Sequence, residues 1–171
     1  MDLAARLSLQ SWPDAILSVC LAILFGLVLG LDRGSKNKPV DFRVFMIVCV
    51  TTCLVALMAE ELYAKHHASD DLLQMDLAKI IEGTLVGIGF LGTGAIIKRR
   101  DDHVIGTATG ASIWAAGGIG LMLGFGIYGL ALLGFVSMLI ILVGFGYLRK
   151  PMLGEDEINR PLGAKDDINE N

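Results

Sequence analysis

The chain is 171 residues long, 54% hydrophobic and 19% charged, with 21 glycines, and its mean hydropathy is +0.63. That balance is typical of polytopic membrane proteins and excludes an ordinary soluble domain. Three cysteines set no disulfide framework, and a net charge of −4 gives no reason to expect a nucleic-acid partner.

Residues 1–14 read as a short interfacial segment whose boundary Trp12 and Pro13 mark. No cleavable signal is expected, because Asp2 and Arg6 lie in the first stretch and no small-residue cleavage site precedes Arg33. Ala15 to Leu31 is the first uncharged run, seventeen residues long and at the short end of what spans a bilayer. Gly26, Gly30 and Arg33 fall on one helical face there. A basic loop follows with Arg33, Lys36, Lys38 and Arg43, and Pro39 interrupts any helix. Val44 to Ala59 is the second uncharged run, closed by Glu60 and Glu61, with Leu62 and Tyr63 at the interface. Cys49 and Cys53 are four apart and share a face. Without histidine or carboxylate company they read as small packing residues.

After a polar, mostly acidic loop at 64–75, the stretch from Asp76 to Ile97 is the densest in information. It opens with Asp76, Lys79 and Glu82, turns apolar, and carries Gly83, Gly87, Gly89, Gly92 and Gly94. In water each helix-interior glycine would cost roughly 1 kcal/mol against alanine. In a bilayer the helix is retained and glycine lets backbones approach. At about 100° per residue, Asp76, Gly83, Gly87 and Gly94 share a narrow arc, with Lys79 beside it and Glu82 well away. A polar cap above a glycine groove is a surface for a neighbouring helix. Glu82 is expected to pair with Lys79 at i,i+3 near the membrane surface.

The stretch stops at Lys98-Arg99-Arg100-Asp101-Asp102-His103, and no charge appears from Val104 to Leu148. A straight helix of that length would be roughly 67 Å, about twice the hydrocarbon thickness, so the run must fold back. Gly124-Phe125-Gly126 is the expected turn. The reading is an all-α integral membrane protein with about five transmembrane helices, near 15–31, 44–63, 77–97, 104–123 and 127–148, within a domain spanning 1–150. Glycine-rich faces pack them. Residues 151–171 hold six acids against Arg160 and Lys165 and are expected to form a disordered cytoplasmic tail. Nine lysines and arginines fall on the side of the 32–43 and 98–103 loops, which puts the C-terminus inside and the N-terminus outside.

No nucleophile–base set and no zinc spacing appears, so no enzyme, cofactor or metal site is expected. Gly87-Ile88-Gly89-Phe90-Leu91-Gly92 matches G-x-G-x-x-G, but without a preceding strand it is no nucleotide loop. The remaining chemical alternative is a divalent-cation or proton transporter, with Glu82 as its intramembrane acid. A third reading is a structural subunit of a larger membrane assembly.

Gly26-x-x-x-Gly30-x-x-Arg33 with Lys38-Pro39-x-x-Phe42-Arg43 resembles the first motif of the MgtC/SapB membrane proteins. Asp76-x-x-Lys79 with Gly87-Ile88-Gly89-Phe90-Leu91-Gly92-Thr93-Gly94 resembles their second. Val104-x-Gly106-Thr107-Ala108-Thr109, Ile113-Trp114-Ala115-Ala116 and Gly120-Leu121 resemble the third. The likeness runs from about residue 16 to 148. It departs where Gly34 follows Arg33, where Asp41 replaces a glycine, and where D-P-x-R becomes Asp76-Leu77-Ala78-Lys79. In place of the folded cytosolic C-terminal domain of virulence-type members stands the acidic tail. The resemblance implies an inner-membrane protein connected with magnesium limitation and stress, acting by contact with membrane partners that include the ATP synthase; beside it, the packing faces lead us to expect a homo-oligomer in the lipid bilayer. Under it, Gly26, Gly30, Arg33, Arg43, Asp76, Lys79, Gly83, Gly87, Gly89, Gly92, Gly94 and Trp114 are the partner-binding or helix-packing residues.

Overall fold

The computed structural model describes residues 12–34, 41–68, 76–98 and 104–145. Among the described residues five helices carry the fold: α1 (Trp12–Gly34), α2 (Phe42–Ala68), α3 (Leu77–Gly94), α4 (Thr107–Gly124) and α5 (Tyr128–Leu139). The last continues as a π-helical segment, Ile140–Phe145. Two aspartates open α2 and α3 in the same way. The Oδ1 of Asp41 accepts the backbone N–H of Arg43 at 3.1 Å, and that of Asp76 accepts Ala78 N–H at 2.9 Å. Each satisfies one of the donors that a helix start leaves unpaired. Asp41, a departure from the family pattern, is therefore a cap.

The chain reverses between α4 and α5 where the glycines stand. Phe125 N–H bonds the Leu121 carbonyl, Gly126 takes φ +67, and Tyr128 begins the next helix. Elsewhere the helix edges differ from the sequence expectation. α2 continues to Ala68, so the first part of the expected 64–75 loop is helical; Ala64, Lys65 and Ala68 are good helix formers. α3 ends at Gly94, with Ala95 and Ile96 bonding three residues back to Gly92 and Thr93. Ile97–Lys98 (β1) then pairs antiparallel with Val104–Ile105 (β2), Ile97 opposite Ile105 and Lys98 opposite Val104. β-Branched residues suit this ribbon. Gly106, at φ +93, turns the chain from β2 into α4, and a Cβ there would overlap the Ala95 carbonyl. Only glycine satisfies both demands. Residues 69–75 and the 151–171 tail lie outside the described residues.

Side-chain contacts define the path. α1 and α2 run antiparallel, since Gly26 meets Met46 and Gly30 meets Phe42. α2 and α4 run parallel, with Gly120 against Cys49 and Thr52 and Gly124 against Cys53 and Ala56. α1 and α5 also run parallel: Ser18 and Tyr128 hydroxyls hydrogen-bond at 2.9 Å, and the Phe25 and Phe135 rings stack at 4.1 Å. Trp12, Glu60, Asp76 and the α4–α5 turn thus gather at one end. Arg43, the β-ribbon and Thr107 gather at the other.

α4 is the centre, touching every other helix. Small residues make that possible: Gly110, Ser112, Ala116, Gly117, Gly120 and Gly124 are all buried. Ser112 donates to the Ala108 carbonyl at 2.6 Å, and Thr52 to that of Val48 at 3.0 Å, so these buried hydroxyls are satisfied within their own helices. The outside is apolar, with Ile47, Leu54, Val86, Leu133, Ile140 and Val143 exposed. Among the described residues three helices are long and apolar enough to cross a membrane: Trp12–Leu31, Phe42–Ala64 and Leu77–Gly94. The protein is an all-α membrane protein whose exposed apolar ring suits lipid.

Candidate partner surface

α3 is the spanning helix the bundle encloses least. Of its 18 residues only Ile88 and Gly92 are buried. Ile88 fills the space that a side chain at Gly117 of α4 would need, and Gly92 crosses Gly110 backbone to backbone. Helical periodicity then places Lys79, Gly83, Val86, Gly87, Phe90 and Gly94 on the opposite side, and all six are exposed. A Cβ added at Gly83, Gly87, Gly89 or Gly94 would meet nothing within 4 Å among the described residues. Phe90 stands out between these glycines at 79% exposure. Asp76 caps the helix at one end of this strip.

The other sequence-derived residues divide by place. Gly26 and Gly30 belong to the interior: a Cβ would stand 2.7 Å from Met46 Cα at the first and 2.6 Å from the Phe42 carbonyl oxygen at the second. This small-xxx-small pair lets α1 and α2 approach at backbone distance. Arg33 lies in the last turn of α1, and its side chain is outside the described residues. Arg43 sits at the start of α2, 3.6 Å from the Asp41 carboxylate and 5.9 Å from the centre of the Phe42 ring, largely in the open. An exposed pair of this kind contributes about 0–1 kcal/mol. Trp114 is half exposed on α4, apart from the α3 strip in sequence.

The expected Lys79–Glu82 pair is not formed. Among the described residues neither side chain makes an ion pair, and both are exposed. Holding two long side chains together at an exposed site returns too little to fix the geometry. Among the described residues no three of His, Cys, Asp and Glu gather to hold a metal ion.

Sequence reasoning passed over Gly110, Gly117 and the packing role of Gly124, all of which stand against neighbouring helices too closely to admit a side chain. A signal was present: Gly106-x-x-x-Gly110 and Gly120-x-x-x-Gly124 repeat the spacing of Gly26 and Gly30. What the arrangement offers is contact: a glycine groove, an aromatic knob and a charged cap on one uncovered strip.

The MgtC family model matches residues 19–150. SapB of Bacillus subtilis (strain 168) is 34% identical over 123 residues, 70% of this chain and 53% of SapB. YhiD of Escherichia coli (strain K12), named as a candidate magnesium transporter, is 28% identical over 128 residues, 75% of this chain and 59% of that protein. Protein MgtC of Salmonella typhimurium (strain LT2) is 30% identical over 111 residues, 65% of this chain and 43% of its own length. The chain spans about half the length of these relatives. No solved structure matches it.

Proposed function

Because the chain belongs to the MgtC family, we propose that it serves magnesium homeostasis or stress adaptation by binding membrane partners, not by catalysis. The name of YhiD supports the link to magnesium. The observation that carries the contact reading is the contrast between α4 and α3. The centre of the bundle is filled by α4 with its glycines against neighbouring backbones, whereas α3 leaves its glycine strip uncovered. A helix that crosses a bilayer with such a strip facing outward presents a packing surface to another protein.

The setting is the bacterial inner membrane, with the N-terminus outside and the C-terminus in the cytoplasm, from the distribution of lysine and arginine. The ATP synthase is the partner to test first, since the resemblance of the motifs points there. Magnesium flux into liposomes tests the reading: purified protein moves no magnesium by itself, and tagged protein brings down a membrane partner that Arg33→Ala loses while still inserting. Saturable magnesium uptake by the wild type, abolished by Asp76→Asn or Glu82→Gln, overturns contact in favour of transport.

A further inference from the structure

We propose that the uncovered face of α3 is closed by α3 of a second copy, in a parallel pair about a two-fold axis along the membrane normal. The proposal rests on the reading of α3 as a contact surface and names what it contacts.

The face is complementary to itself. At about 1.5 Å of rise per residue, Phe90 lies roughly 4.5 Å beyond Gly87 and 6 Å short of Gly94 along the helix. Those two glycines lie to one side of it around the helix, with nothing above them among the described residues. In a two-fold pair each flank of one helix faces the opposite flank of the other. The Phe90 ring of each copy then enters the gap between Gly87 and Gly94 of its mate. One ring fills one groove, twice.

The charges follow the same rule. Asp76 and Lys79 are one turn apart at the end of the strip, both exposed, and neither is ion-paired among the described residues. Asp76 commits Oδ1 to the Ala78 N–H, and its Oδ2 makes no bond among the described residues. Around the helix the two flank the centre of the face on opposite sides, so Lys79 of each copy comes against Asp76 of the other. Lipid offers neither the ring-filled groove nor the alternating charge. Copies that insert by one topology share one orientation, so a parallel pair is available to all of them, and an isologous two-fold interface needs only one self-complementary patch.

Cross-linking in native membranes decides it. In a Cys20→Ser background, Gly83→Cys, at the middle of the face, gives a cross-linked dimer with a short bis-maleimide, as does Phe90→Cys, while Leu132→Cys on the lipid side of α5 stays at background. Lys79→Glu lowers the dimer fraction about fivefold or more, by setting like charges against each other. Lys79→Arg keeps it, and Phe90→Ala lowers it. No cross-linking above the Leu132→Cys level at either position overturns the proposal, as does a dimer indifferent to both Lys79→Glu and Phe90→Ala. A monomer that brings down a different membrane protein through α3 also overturns it, yet leaves the contact reading standing. Magnesium uptake by the purified protein would remove the reading itself.

Discussion

Gly92 and Gly110 cross with nothing between their backbones: a Cβ on Gly110 would stand 2.5 Å from the Gly92 carbonyl oxygen, and one on Gly92 would stand 3.0 Å from that of Gly110. This crossing and the seating of Ile88 over Gly117 hold α3 to the bundle. The asymmetry of the two distances ranks the substitutions. Gly110→Ala must push the helices apart and is expected to destabilise by about 1–3 kcal/mol. Gly92→Ala, needing only a small adjustment, is expected to lose less. Unfolding in mixed detergent followed by circular dichroism measures both, and an equal or reversed order would show that α3 sits elsewhere.

The Ser18–Tyr128 hydrogen bond joins helices at opposite ends of the chain. Hydrogen bonds between membrane helices average about 0.6 kcal/mol and reach about 1.7. Tyr128→Phe and Ser18→Ala are each expected to lose an amount in that range. The double variant should lose no more than the larger single loss, because one bond is being removed twice. Additive losses in a double-mutant cycle would mean that the two hydroxyls do not share a bond.

Gly30 and Gly87 look alike in sequence and should behave as opposites. Gly30→Leu drives a side chain into the Phe42 backbone, so the α1–α2 pair should fail and the protein should aggregate or be degraded. Gly87→Leu meets open space among the described residues and should leave stability within about 0.5 kcal/mol, while weakening contact with whatever covers α3. Size-exclusion chromatography in mild detergent separates these outcomes. A Gly87→Leu protein that fails to fold would place that glycine inside the bundle.

The direction of α3 and α4 predicts accessibility. In a Cys20→Ser background, a cysteine at Ala78 should react with an impermeant maleimide on intact cells. One at Thr107 should react only after the membrane is opened. The reverse pattern would invert the proposed orientation and leave the fold untouched.

Much of this protein was legible in its residues. The 45-residue uncharged run had to fold back, and Gly124-Phe125-Gly126 was the place for it. Gly26 and Gly30 carried a spacing that suits backbone contact, and the bundle places them there. The stretch read as opening at Asp76 does start there, on its cap, whereas the second run was read from Val44 and the cap at Asp41 was passed over as part of the basic loop. The short β-ribbon was missed because Ile97 and Val104–Ile105 are as apolar as the spans beside them, and apolar runs of that length carry no period by which to tell strand from helix.

Only the tertiary structure decided which glycines are inside. Gly83, Gly87 and Gly94 stand on one arc of α3, and Gly110, Gly117, Gly120 and Gly124 recur along α4; by spacing alone either set could line a helix contact. In a soluble protein polarity would separate them, because the outward face would carry charge. In a bilayer, lipid and neighbouring helix are equally apolar, so a face turned to either reads the same in sequence. The contacts of Gly110 and Gly117 with α3 and of Gly120 and Gly124 with α2 bury α4, whereas Gly83, Gly87 and Gly94 of α3 meet no such neighbour among the described residues.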